Sequence, residues 1–187
     1  MFTGIVQAVG RIVRVNPLEV ECPALGLADV AVGESICVQG VCLTVIATTR
    51  QGFTADVSGE TLRVTCGLDR PGKVNLEKAL ALGDKLGGHL VTGHVDAVGE
   101  VLQFSSGLLQ VRVPRDLRRY IARKGSICVD GVSLTVNRVE GDVFEVHLIP
   151  HTLQVTTLSR LAPGAKVNLE VDLIARYVER MLPGSGS

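Results

Sequence analysis

Three features of the sequence predict a mostly β protein: two similar antiparallel Greek-key β-barrels in tandem plus a C-terminal α-helix. The chain repeats itself, its apolar runs are short and β-branched, and only its last segment carries a helical period. The implied division is residues 1–90 for the N-terminal barrel, 91–171 for the C-terminal barrel, and 172–187 for a helix with a flexible Gly-Ser tail.

The repeat is read directly. Thr3-Gly4-Ile5-Val6-Gln7-Ala8-Val9-Gly10 returns as Thr92-Gly93-His94-Val95-Asp96-Ala97-Val98-Gly99, with six of eight residues identical. Ser35 to Val45 returns as Ser126 to Val136 with nine of eleven identical, Thr61 to Thr65 returns as Thr152 to Thr156, and Lys73-Val74-Asn75-Leu76-Glu77 returns entire as Lys166 to Glu170. Four echoes in one order, with offsets drifting only from 89 to 93, indicate duplication of one unit, and two copies make two domains rather than a solenoid.

Within the first copy, strands are predicted at Ile5–Val9, Gly10–Val15, Ile36–Val38, Leu43–Ile46, Phe53–Val57 and Val74–Glu77, each short, β-branched and punctuated by glycine. About six strands per unit without long helices between them suit a closed barrel, which leaves no free sheet edge. In the second copy Pro114 to Ile121 reads as a short helix with proline in its first turn. The segment Asp172 to Leu182 opens on an N-cap residue and ends at Pro183-Gly184. Leu173, Ile174, Tyr177, Val178, Met181 and Leu182 form one apolar stripe along it, which serves either packing on the chain's own barrels or contact between subunits.

Composition narrows the function. Aromatic residues are 3% against 46% hydrophobic, with no Trp, so the interior is built from Val, Leu, Ile and Ala. Lys+Arg and Asp+Glu both number 19, which provides no overall field for nucleic acid or an acidic membrane, and neither is expected as a partner. The five cysteines form no C-x-x-C pair and read as reduced thiols; with no signal-peptide pattern and no membrane span, a cytoplasmic protein is expected. His89 and His94 are five apart and flanked by glycine, poor spacing for a metal, and no metal or cofactor is expected. There is no Gly-x-Ser-x-Gly elbow, Walker loop or Rossmann fingerprint, so triad hydrolysis, phosphoryl transfer and dinucleotide binding lack support.

After Gly40, Cys42 and Thr44 share one strand face opposite Leu43; after Gly131, Ser133 and Thr135 do the same around Leu134. A matched polar pair in each copy points to two related small polar ligands. The plainer alternative is that these hydroxyls bond the backbone and that each Gly marks a turn or bulge.

These residues, with Met-Phe-Thr-Gly-Ile-Val at the start, Gly-Gly-His-Leu-Val-Thr-Gly-His-Val-Asp at the join and His-Leu-Ile-Pro-His-Thr-Leu near the end, closely resemble the riboflavin synthase family over essentially the whole chain. The resemblance implies a homotrimer whose active site lies between the N-terminal barrel of one subunit and the C-terminal barrel of another. It implies dismutation of two molecules of 6,7-dimethyl-8-ribityllumazine by transfer of a four-carbon unit, giving riboflavin and 5-amino-6-ribitylamino-uracil without cofactor or metal. The helix from Asp172 would then serve trimer contacts.

Carried over by position, the resemblance assigns one lumazine to Gly4, Ile5, Val6, Cys42, Leu43, Thr44, Asp56, Val57, Ser58, Gly59, Glu60 and Thr61. It assigns the other to Gly93, His94, Val95, Lys124, Ser133, Leu134, Thr135, His147, Leu148, Ile149, Pro150, His151 and Thr152. Val41 departs from the second cysteine that many members carry, while Cys42 is kept. Two identical substrates must play unlike roles, so the informative positions are those where the copies differ: Ile5 against His94, Gln39 against Asp130, Cys42 against Ser133, Glu60 against His151. The expectation is that His94 and Ser133, with Thr135, manage proton transfer in one pocket, that Ser35 and Cys42 serve the other, and that Asp172 orients one of them. The alternative is a non-catalytic lumazine or flavin carrier of the same fold.

Overall fold

The computed structural model describes residues 1–182, so the expected helix stop at Pro183-Gly184 and the Gly-Ser tail lie outside the described residues. The first six strands are β1 (Ala8–Val15), β2 (Leu18–Glu21), β3 (Ser35–Val38), β4 (Val41–Thr48), β5 (Gly52–Ala55) and β6 (Gly72–Lys78), closed in the order β1-β2-β5-β4-β3-β6. The next six are β7 (Ala97–Ser105), β8 (Leu108–Arg112), β9 (Ser126–Val129), β10 (Val132–Glu140), β11 (Val143–His147) and β12 (Lys166–Val171), closed in the matching order β7-β8-β11-β10-β9-β12. All neighbours are antiparallel, and the meander β3-β4-β5 with β2 returned beside β5 is a Greek key.

Both barrels bend at the same places. The register slips between Ile12 and Arg14 and between Val45 and Ala47, and again between Val101 and Gln103 and between Val136 and Arg138. An extra residue on one strand adds local twist and lets six short strands close. Each barrel encloses its own core: Ile12, Leu18, Ile36, Phe53 and Leu76 in the first, Leu109, Ile127, Phe144, Val146 and Leu169 in the second. Full burial of such a side chain contributes roughly 1.5–3 kcal/mol. A third, smaller cluster of Phe2, Cys37, Val91 and Cys128 fills the seam between barrels.

Three expectations are corrected. Ile5–Gln7 are not strand, and the two predicted strands at Ile5–Val15 are one, β1 from Ala8; likewise the segment from Thr92 stays outside β7, which begins at Ala97. Both stretches are drawn off toward the opposite barrel, as described below. The expected helix at Pro114 is a 3-10 segment, Arg115–Tyr120, and β2 was not predicted, because four alternating residues are too short a signal. Two short helices also escaped the sequence pattern, α1 (Gly59–Val64) and α2 (Pro150–Val155); six residues cannot show a helical period.

The C-terminal helix forms as expected, α3 (Leu173–Met181), with the Asp172 carboxylate accepting the Ile174 N–H at 3.0 Å. Glu179 ties it to its own barrel through Arg119 at 2.5 Å and the Tyr120 hydroxyl at 2.5 Å. Its apolar stripe does not pack inward: Ile174, Tyr177, Val178 and Met181 are 52–82% exposed.

Candidate functional site

The two copies are joined by a set of paired contacts in which each loop crosses to the other barrel. Phe2 and Val91 exchange two backbone hydrogen bonds, Phe2 N–H to Val91 O at 2.7 Å and Val91 N–H to Phe2 O at 3.0 Å. Immediately after, the Ser133 N–H donates to the Gly4 carbonyl at 2.7 Å, and the Cys42 N–H donates to the Gly93 carbonyl at 2.9 Å. Val6 packs against the core of the second barrel and Val95 against that of the first. The Gly4–Val6 loop thus stands beside Ser133, and the Gly93–Val95 loop beside Cys42, each against a strand of the other copy.

Glycine makes the crossing possible. Gly4 and Gly93 have φ of +74° and +78°, and a Cβ on either would lie 2.6–2.7 Å from the Cβ of Ser133 or Cys42. Gly40 and Gly131 meet back to back in the two-residue turns Gln39-Gly40 and Asp130-Gly131, all four residues at positive φ.

The repeated Lys-Val-Asn-Leu-Glu supplies the clamps, which the sequence showed as a motif but not as a role. The Glu77 carboxylate accepts the Thr3 N–H and hydroxyl, both at 2.7 Å, and the Gly4 N–H at 2.9 Å. Glu170 does the same for Thr92 at 2.6 and 2.8 Å and Gly93 at 2.8 Å. Burial raises both carboxyls above the usual range, while the donated hydrogen bonds oppose it. Asn75 and Asn168 bridge the barrels: Asn75 Nδ2 donates to the Asp130 carbonyl and Asn168 Nδ2 to the Gln39 carbonyl, both at 2.9 Å. The Gln39/Asp130 difference therefore lies in this bridge, where buried Asp130 accepts the Asn168 N–H at 2.8 Å and desolvation pushes its carboxyl to about 7.

The remaining candidates are placed as follows. Leu43, Leu134 and Leu148 are buried, so only their backbone can meet a ligand, whereas Thr44 and Thr135 are exposed beyond the half-exposed Cys42 and Ser133. Asp56 and Val57 lead into α1, whose N-cap Ser58 accepts the Thr61 N–H at 3.0 Å; Gly59 and Glu60 fill its first turn, with Glu60 paired to Arg63. His147, Ile149, Pro150, His151 and Thr152 form the matching entry to α2, with His147 and His151 exposed. Lys124 holds φ +70° where Gly33 stands in the first copy, an uncommon backbone for a side chain and one often found at working positions. Ser35 opens onto a cleft of about 650 Å³ beside the Lys78–Asp29 ion pair, and Ile5 onto one of about 480 Å³ beside Glu77. The His94 carbonyl accepts from Arg176 of α3 at 3.4 Å, and Arg176 pairs with Asp96 at 2.5 Å. Burial raises the Asp96 carboxyl against the pull of the Val171 N–H and Arg176.

Sequence reasoning set His89 aside. In the structure it is 8% exposed, and its Nδ1 lies 2.7 Å from the Ser133 hydroxyl. All five cysteines are free thiols, and among the described residues no cluster of His, Cys, Asp or Glu is arranged to hold a metal.

A lumazine binding domain family model matches residues 3–79 and 92–172, one match per barrel. The chain is 47% identical to a riboflavin synthase of Mycobacterium tuberculosis over 202 aligned positions, covering 100% of both chains. It is 46% identical to that of Photobacterium phosphoreum over 194, covering 97% of this chain and 89% of the relative. The solved structure of LumP complexed with 6,7-dimethyl-8-(1'-D-ribityl) lumazine superposes with a TM-score of 0.78 at 26% identity, covering 91% of this chain and 99% of that one.

Proposed function

The chain belongs to the riboflavin synthase family, whose repeated unit is the lumazine-binding domain, and we propose that it dismutates two molecules of 6,7-dimethyl-8-ribityllumazine to riboflavin and 5-amino-6-ribitylamino-uracil. The observation that supports this reading is the crossed pairing of two matched but chemically unlike loops: Gly93, next to His94 in the chain, bonds Cys42, and Gly4, next to Ile5, bonds Ser133. One substrate must lose a proton from its 7-methyl group and attack the other, and identical pockets could not tell them apart.

In this reading each ring pairs its donor and acceptor edges with backbone N–H and C=O groups of a crossing loop and of the entry to α1 or α2, and hydroxyls hold the ribityl chains. His94 acts as the proton-transfer group at the ligand beside Cys42 and Thr44; Ser133 and Thr135 serve the other ligand. Ser35 stands on a neighbouring cleft, and Asp172 caps α3 near the Ser133 side. Face-to-face placement of the rings supplies much of the rate, since proximity is worth roughly 7–11 kcal/mol in favourable cases. Needing neither metal nor cofactor, the reaction would run in a cytoplasmic homotrimer whose contacts cover the exposed stripe of α3. Among the described residues no helix is long and apolar enough to cross a membrane.

A carrier of the LumP kind is the second reading, favoured by the structural likeness. Incubating the protein with the lumazine decides between them. Growth of yellow-green riboflavin fluorescence supports the enzyme, and stoichiometric binding of unchanged lumazine supports the carrier.

A further inference from the structure

His89 follows Gly87 and Gly88 and sits where the chain crosses between barrels. Its backbone N–H donates to the Thr3 carbonyl at 3.1 Å. Gly88 lets it come this close, because a Cβ there would lie 2.1 Å from the Thr3 oxygen and 2.7 Å from Ser133 Cβ. The ring then presents Nδ1 to the Ser133 hydroxyl at 2.7 Å, while Nε2 is buried without a hydrogen-bond partner among the described residues.

That orphan nitrogen selects the tautomer. Burial holds the ring's pKa below its ordinary value, with the Asp172 carboxylate pulling the other way, which favours the neutral imidazole with its single N–H. A proton on Nε2 would leave a donor buried and unmet, a rarer orphan in folded proteins than an unmet acceptor. A proton on Nδ1 is met by the serine oxygen.

The geometry points to His89 as a positioning residue: its Nδ1–H donates to Ser133 Oγ, so that the Ser133 hydroxyl proton is free to turn outward and donate to a ligand. With the ring in the other tautomer, Ser133 would spend its proton on Nδ1 and offer the ligand only lone pairs. His89 thereby fixes the polarity of one half-site, where Cys42 in the matching place is a weak donor at best. This inference rests on the proposed lumazine reaction for its kinetic readout but not for its spectroscopic one.

The first test is 15N NMR of the histidine rings. A neutral His89 with a protonated, hydrogen-bonded Nδ1 that changes on Ser133→Ala supports the assignment, and an Nε2–H tautomer overturns it. The second is kinetic. His89→Phe keeps a ring but removes the donor, and should lower kcat about tenfold while KM and lumazine affinity move less than threefold. His89→Asn, whose Nδ2 stands near the lost Nδ1, should recover most of the loss. In the double variant with Ser133→Ala the two losses should not multiply, as expected when one group acts through the other. Multiplying losses, or an unaffected His89→Phe, would overturn the proposal. A fold defect in the Phe variant would show as a lowered melting temperature, leaving the Asn variant and the NMR result to decide. No turnover in the unaltered protein would count against the proposed reaction alone.

Discussion

The Gly4 carbonyl accepts the Ser133 N–H at 2.7 Å across 129 residues of sequence, so the strand around Ser133 is held by the opposite copy of the repeat. Gly4→Ala should therefore damage both stability and activity. A Cβ 2.7 Å from Ser133 backbone and side chain, at φ +74°, has nowhere to go, and a loss of roughly 2–4 kcal/mol is expected. Gly67→Ala is the control: φ is +81° but nothing lies within 4 Å, so only the backbone penalty of about 1 kcal/mol applies. Denaturant titration of both variants measures the difference.

His94 should matter to turnover more than to affinity. His94→Ala is expected to lower kcat near the low end of the roughly 100- to 10,000-fold that a positioned proton-transfer group contributes, because ring placement carries much of the rate. Lumazine binding, followed by its fluorescence, should hardly change. Full turnover in this variant would remove His94 from the mechanism.

Deleting residues 172–187 should give inactive monomers. It removes the exposed stripe of Ile174, Tyr177, Val178 and Met181, and with it the Arg176 contacts to the His94 carbonyl and Asp96. Sedimentation and a fluorescence assay test this together; an active, trimeric truncation refutes it.

Asp130 should make stability fall as pH rises. Its folded carboxyl is pushed from 3.8 up to about 7 by burial, so between about pH 4 and 7 the folded state holds a proton that the unfolded state has released. The cost grows through that window and is complete above it, at a few kcal/mol at most given about 1.4 kcal/mol per pKa unit. Asp130→Asn escapes it, so its stability relative to the unaltered protein should improve from pH 5 to pH 8. A constant difference across that range would show that Asp130 ionises freely in the fold.

The duplication, the strand-rich character and the C-terminal helix are legible in the order of residues alone, because repeats and periodicity are local patterns that survive in one dimension. Cys42, Ser133 and His94 also stand out in the sequence as candidates, through the matched turns and through the places where the copies differ. The fold alone shows that the loop from Gly4 lies against Ser133 and the loop from Gly93 against Cys42. The crossing of Gly4 to Ser133 and of Gly93 to Cys42 depends on contacts between segments far apart in the chain, and no local propensity encodes a partner in the other barrel. The same reason hid His89. Its neighbours in sequence are glycines and Leu90, whereas the serine hydroxyl that gives it a role lies 44 residues away and is reached only when both barrels have closed.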